Sequence, residues 1–369
     1  MELSELRNNI SQVVMMNVDG VTPSKSATRL IEKGVGGVIF FAHNCRQPSQ
    51  VAELIQRLQE VARNGELRIP LMIAIDQEHG PVVRIREGVT PFPSPWDLGR
   101  STNVAVLRRV AQITGKELLL MGINMNLAPV ADLHIHPDNQ VIGKRSFGSD
   151  PHMVGTMVAA YIDGLQGEGV AACAKHFPGH GATAKDSHQE LPVIKKSKEQ
   201  LDEAELIPFQ MAVHAGVASV MTGHLLYPAL DPTRPATLSP VIIQGLLRQN
   251  LGFSGVVISD DLIMGALSQW GTIEEIGVEA LNSGVDFLLV GQENVDGLLE
   301  GLQRGITKGE ISPTRAADAI QRILMLKKRY PYRGPGDLRR LRQKNDLAFS
   351  QELFRGVGHG EGNPRDREI

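Results

Sequence analysis

Residues 169–176 read GVAACAKH, and the sense of the whole chain follows from how these eight residues are parsed. A glycine followed by a β-branched residue comes after an amphipathic stretch, where glycine takes the left-handed conformation that closes a helix. The run from Ala171 is apolar on both faces, as a buried parallel strand is, and it ends abruptly in Lys175 and His176. The unit is helix, glycine, strand, charge.

The same phrase recurs at Gly34-Val35, Gly122-Ile123, Gly216-Val217, Gly255-Val256 and Gly284-Val285. Strands are expected at VVMMNV from Val13, GVIFF from Gly37, LMIAI from Leu71, MNLAP from Met125, AACA from Ala171, SVMT from Ser219, VVIS from Val256 and FLLV from Phe287. Helical patterns separate them over 25–33, 50–63, 104–121, 153–165, 198–215, 241–249 and 273–282, and further helices follow over 295–304 and 313–326. Thr22-Pro23 and Ser312-Pro313 each place a capping hydroxyl before a proline suited to a first helical turn. Eight β/α repeats predict a TIM (β/α)8 barrel, an α/β fold with one catalytic domain over 1–330; a doubly wound sheet is the weaker alternative. Residues 331–369 turn basic, then Gly-rich and polar, and are expected to be a partly mobile C-terminal extension.

With 369 residues, 42% of them hydrophobic, the chain has the material for a large core, which excludes a disordered protein or a disulfide miniprotein. The net charge of −3 gives no drive toward nucleic acid or anionic membrane, so neither is an expected partner. Two distant cysteines, Cys45 and Cys173, fit free thiols in a reducing compartment. Neither a signal segment nor a membrane-spanning run is apparent, and a cytoplasmic location and a monomer are expected.

In such a barrel the reacting groups sit just after the strands. Asp76 with Gln77, Glu78 and His79, then Asp132, Lys175-His176, His224 and Asp260-Asp261 all fall there. Any one of them is as well read as a satisfied polar residue at a strand end; their accumulation on one rim is harder to explain that way. The segment KHFPGHG, Lys175 to Gly181, with Asp186-Ser187-His188 shortly after, makes a poor core and a good active-site loop. Glycines 179 and 181 offer hinges, and an Asp two residues before a His holds its imidazole.

These segments, with NQVIGKRSFGSDP from Asn139, IDQEHG with Arg84 downstream, and ISDDLIMGA from Ile258, resemble glycoside hydrolase family three, and within it the single-domain NagZ-type β-N-acetylglucosaminidases. The resemblance spans about 13–326. It implies that Asp260 is the nucleophile, that His188 is the acid/base with Asp186 as its partner, and that Asp76, Arg84, Arg145, Lys175 and His176 bind the sugar. It implies a small carbohydrate substrate: N-acetylglucosamine linked to anhydro-N-acetylmuramic acid, with or without peptide, from cell-wall recycling. Every role so assigned belongs to a side chain, so no cofactor or metal is expected. His79 and Pro81 stand where the family often has glycine and arginine, and Gln140 where proline is common.

The residues themselves support the same chemistry. A carboxylate on a rigid strand end suits attack on an anomeric carbon, and a His-Asp pair replaces the usual second carboxylic acid with a group that titrates near neutrality. Asp261 reads as a hydrogen-bonded loop residue. Two rival readings remain: metal-assisted hydrolysis through His134-Ile135-His136, misplaced for it after the fourth strand, and a sugar-binding barrel without catalysis, which would need neither Asp260 nor the Asp186/His188 pair.

Overall fold

In the structure, a computed structural model that describes residues 2–359, all eight expected strands are present and parallel. They are β1 Val14–Asn17, β2 Gly37–Phe40, β3 Met72–Ile75, β4 Met125–Asn126, β5 Ala171–Phe177, β6 Ser219–Thr222, β7 Val256–Ser259 and β8 Leu288–Val290. Each pairs with its sequence neighbour from β1 to β7, β8 pairs with β1, and a bridge between Ile258 and Phe287 joins β7 to β8 and closes the ring. The strands are buried nearly end to end, which is why they read as continuous apolar runs.

Helices cover the outside, and five of the six signal glycines sit at positive φ. Gly255 is the exception: the left-handed residue of that turn is Gly252, at φ 71°. One cap also differs from expectation. The first barrel helix, Lys25–Glu32, is capped by Ser24, whose Oγ accepts from Ala27 N at 3.1 Å, so Pro23 lies outside the helix and Thr22 does not cap it. Ser312 does cap Pro313–Arg329, accepting from Arg315 N at 3.1 Å. The stretch expected as one helix over 198–215 is two, Lys198–Glu203 and Leu206–His214. Both cysteines are free.

The basic segment after residue 331 includes a helix, Lys344–His359, docked on the barrel flank: Phe349 meets Phe92 edge to face, and Arg109 lies over its ring. Residues 360–369, the Gly-rich end of the expected mobile extension, lie outside the described residues. Among the described residues, no helix is long and apolar enough to cross a membrane.

Candidate active site

At the carboxyl end of the barrel a cleft of about 350 Å³ is lined by Asp76, Arg84, Arg145, Lys175, His176, His188 and Asp260. Every site residue expected from the sequence therefore lines one cavity except Asp186, which stands behind His188.

The floor of the cleft is a buried ionic network. Lys175 Nζ, at the end of β5, reaches Asp76 Oδ1 at 2.7 Å and Glu78 Oε1 at 2.6 Å. Arg145, in a short turn Gly143–Arg145, grips Glu78 with two parallel bonds of 2.8 and 2.9 Å, and Arg84 donates to Asp76 Oδ2 at 3.1 Å. Burial opposes every charge here, yet mutual attraction wins: Arg145 and Lys175 hold the Glu78 carboxyl well below the usual range, and Asp76 and Glu78 raise Lys175 above its own. Arg145 is likewise raised against burial, chiefly by Glu78. A network so locked presents fixed charge-assisted donors and an acceptor to a polar ligand.

Sequence reasoning did not assign a role to Glu78 or Asp132. Asp132 orients His176, accepting its ring Nδ1 at 2.7 Å and its backbone N, and it also accepts the backbone N of His180 at 2.6 Å. Burial disfavours the Asp132 anion, but the charges and hydrogen bonds of His176 and His180 leave its pKa lowered. Two cations on one rim, Arg145 and Lys175, were the available signal that a carboxylate beyond Asp76 had to lie between them.

The loop after β3 shows why the departures from the family pattern leave this cleft intact. Gln77 braces it, accepting from the backbone N of Arg84 and of Ile85 at 3.1 Å each. His79 holds φ 72°, the conformation glycine takes freely, and its ring turns away from the cleft to Thr114 Oγ1 at 3.0 Å and the edge of Phe92. Burial pushes the His79 imidazole down to about 4. Pro81 and Gln140 are exposed and do not line the cleft.

Asp260 follows β7 directly. Its Oδ1 accepts from Asp261 N at 2.9 Å. Burial works against its charge, but His176, His224, the Asp261 N–H and Lys175 together keep its pKa below the ordinary value. Asp261 bears the cost of the pairing: burial, Asp260 and Glu293 push it up to about 6. As pH falls, the first proton taken up by this acidic pair goes to Asp261, and Asp260 stays an anion. Above the cleft, His188 Nδ1 lies 2.7 Å from Asp186 Oδ1, and the His188 ring is 64% exposed, accessible to whatever enters. Asp186 is lowered because the bonds from the His188 backbone and ring outweigh its partial burial.

Glycines 179 and 181, expected as hinges, are pinned. Tyr227 Oη donates to Gly179 O, His136 N donates to Gly181 O at 3.1 Å, and a Cβ on Gly181 would lie 1.6 Å from Leu133 O. The HxH pair does not converge: His134 packs edge-on against Trp96, and His136 Nδ1 accepts from Asp138 N. His224 spends both ring nitrogens, on Thr237 Oγ1 at 2.7 Å and Asp261 O at 2.9 Å. Among the described residues, no group of three or more His, Cys, Asp or Glu side chains is placed to hold a metal.

Against known proteins, the profile of the glycosyl hydrolase family 3 N-terminal domain matches residues 5–326. β-Hexosaminidase A of Pseudoalteromonas piscicida is 37% identical over 272 residues, an alignment covering 69% of this chain and 46% of that protein, so the chain spans about half of that relative. Among solved structures, a glycoside hydrolase family 3 β-N-acetylglucosaminidase from Paenibacillus sp. str. FPU-7 superposes with a TM-score of 0.91 at 39% identity, covering 95% of this chain and 68% of that one. NagZ from Neisseria gonorrhoeae, in complex with N-trifluoroacetyl-D-glucosamine, superposes at 0.78 with 28% identity, covering 94% of this chain and 98% of that one.

Proposed function

The chain belongs to glycosyl hydrolase family 3, and from that premise we propose that it is a retaining exo-β-N-acetylglucosaminidase whose covalent intermediate forms on Asp260. The observation that carries this reading is the meeting, in one cleft, of an anionic strand-end carboxylate, a histidine held by an aspartate, and a rigid ionic floor.

Asp260 Oδ1 is occupied by the Asp261 N–H, so Oδ2 attacks the anomeric carbon. The glycosidic C–O bond breaks as Nε2 of the His188 imidazolium gives its proton to the departing oxygen, while Asp186 holds Nδ1 and fixes the ring. In the second half the neutral ring takes a proton from water, and the hydroxyl so activated displaces Asp260 from the sugar. The acid is regenerated. Asp76, Arg84, Arg145, Lys175 and His176 hold the hydroxyls and acetamido group of one terminal residue, because fixed charge-assisted bonds orient a polar ring without reorganising.

The natural substrate in this reading is N-acetylglucosamine linked to anhydro-N-acetylmuramic acid, with or without peptide, met in the cytoplasm by a monomer; similarity to NagZ, solved with N-trifluoroacetyl-D-glucosamine, supports its glucosamine half. Hydrolysis of a chromogenic β-N-acetylglucosaminide, followed by NMR of the first-formed anomer, tests the activity. We expect the β-anomer first. Faster turnover of the matching β-glucoside, or first release of the α-anomer, contradicts the assignment.

A further inference from the structure

The loop carrying Asp186 and His188 is not free above the cleft. It rests on the segment that follows the nucleophile. Gly265 N donates to His188 O at 3.1 Å and Ala266 N donates to Ser187 O at 3.2 Å, so two backbone bonds fasten the acid/base loop to the turn Gly265–Leu267. That turn is itself tied down: Met264 N donates to Asp261 O at 3.1 Å, and Leu262 N to Leu289 O at 2.9 Å beside β8. On the opposite side, Ser187 Oγ lies 3.1 Å from His180 Nε2, in the loop that Asp132 anchors.

The approach is close enough that only glycine fits. A Cβ on Gly265 would stand 2.6 Å from Gln189 O and 2.8 Å from His188 O, both backbone atoms that cannot swing aside as a side-chain tip would. Gly265 is not among the residues at positive φ, so the demand for glycine here is one of space and not of backbone conformation.

We propose that Gly265 is a positioning residue for the acid/base: its missing side chain lets the 186–190 loop dock on the nucleophile's own loop, and the docking sets the place of His188 relative to Asp260. This rests on the acid/base reading of His188 given above. Proton donation needs the donor within hydrogen-bond reach of the departing oxygen, and a displacement of the loop by the width of a methyl removes that reach while leaving Asp260 and the sugar-binding floor in place.

The test compares wild type, Gly265→Ala and His188→Ala by kcat/KM on two substrates, the dinitrophenyl N-acetylglucosaminide, whose leaving group needs no proton, and diacetylchitobiose, whose leaving group does. Trypsin cleavage after Lys185, inside the same loop, reports docking independently of activity. For Gly265→Ala the expected result is a loss of about 10²-fold on diacetylchitobiose with less than about fivefold on the aryl substrate, and faster cleavage after Lys185. Equal losses on both substrates, or unchanged cleavage, overturns the proposal. If His188→Ala itself shows equal losses, the acid/base reading falls, and the trypsin result still decides whether Gly265 docks the loop. Should Gly265→Ala not fold, Ser187→Ala removes the His180 bond without adding volume; a milder form of the same selectivity and faster cleavage sustain the docking proposal, and their absence overturns it.

Discussion

Two buried ionic clusters occupy opposite ends of this barrel, and they are built from the same chemistry for different ends. At the bottom, Asp286 before β8 is fully buried and takes Arg248 Nη2 and Arg315 Nη2, each at 2.5 Å, together with Val257 N. The two guanidinium groups also donate to backbone carbonyls, Arg248 to Gly255 O and Phe253 O, Arg315 to Leu281 O and Val285 O, and Arg315 Nη1 donates to Asp318 Oδ2 at 2.7 Å. That cluster ties helices to the strand entrances and runs out to the surface through Asp318 and Arg322. At the top, the cluster of Asp76, Glu78, Arg84, Arg145 and Lys175 sets two carboxylates against three cations and forms the floor of a cleft. What separates stability from function is where the leftover hydrogen-bonding capacity points, which matches the division between the two faces of this fold.

The sharpest way to break the contrast is to remove one carboxylate at each end. Asp260→Ala is expected to lower turnover by at least about 10⁴-fold with an unchanged thermal midpoint, since it deletes the covalent step and supports no strand. Asp286→Ala is expected to do the opposite, costing about 3–5 kcal/mol of stability by stranding two buried guanidinium groups, with kcat/KM per folded molecule unchanged. Urea titration and activity on the same samples check both. An inactive but stable Asp286→Ala, or an active Asp260→Ala, would erase the distinction.

Within the upper face, a finer comparison sets donor against nucleophile. His188→Ala is expected to lose about 10²–10⁴-fold on substrates with basic leaving groups and little on dinitrophenyl glycosides in kcat/KM, with Asp186→Ala a weaker copy of the pattern. A plot of kcat/KM against leaving-group basicity reads this directly.

The smallest effect concerns Asp261. Its folded pKa of about 6 lies above the ordinary 3.8, so between those values the folded state keeps a proton that the unfolded state has lost. Stability from this group falls as pH rises through that window, and the penalty is complete above it. Asp261→Asn has no proton to lose, so its thermal midpoint should exceed that of wild type above about pH 7, with the difference vanishing below about pH 4. Midpoints measured across that range check it.

Much of this was legible in the sequence for a physical reason. A strand buried on both faces cannot hide its apolar run, and a polar residue placed right after it is conspicuous, which is how Asp76, Lys175, His176 and Asp260 came to notice. Asp186 and His188 are two residues apart, so their pairing was local enough to read. Glu78 meets Arg145 and Lys175 from 67 and 97 positions away, and Asp132 meets His176 across 44, contacts that no local pattern encodes. The cap at Ser24 was missed because two hydroxyls flank Pro23 and only the folded path chooses between them. The pinning of Gly179 and Gly181 was invisible for the same reason: a glycine that gives freedom and one that gives room look alike in sequence.

The central claim is that Asp260 becomes covalently bonded to the sugar. Trapping the intermediate with a fluorinated N-acetylglucosaminyl inactivator, followed by peptic digestion and mass spectrometry, tests it most directly. The account predicts one label per chain, on Asp260, and none on the Asp260→Ala protein. A label on Asp261, Asp76 or any other residue, or inactivation without a covalent adduct, would contradict it.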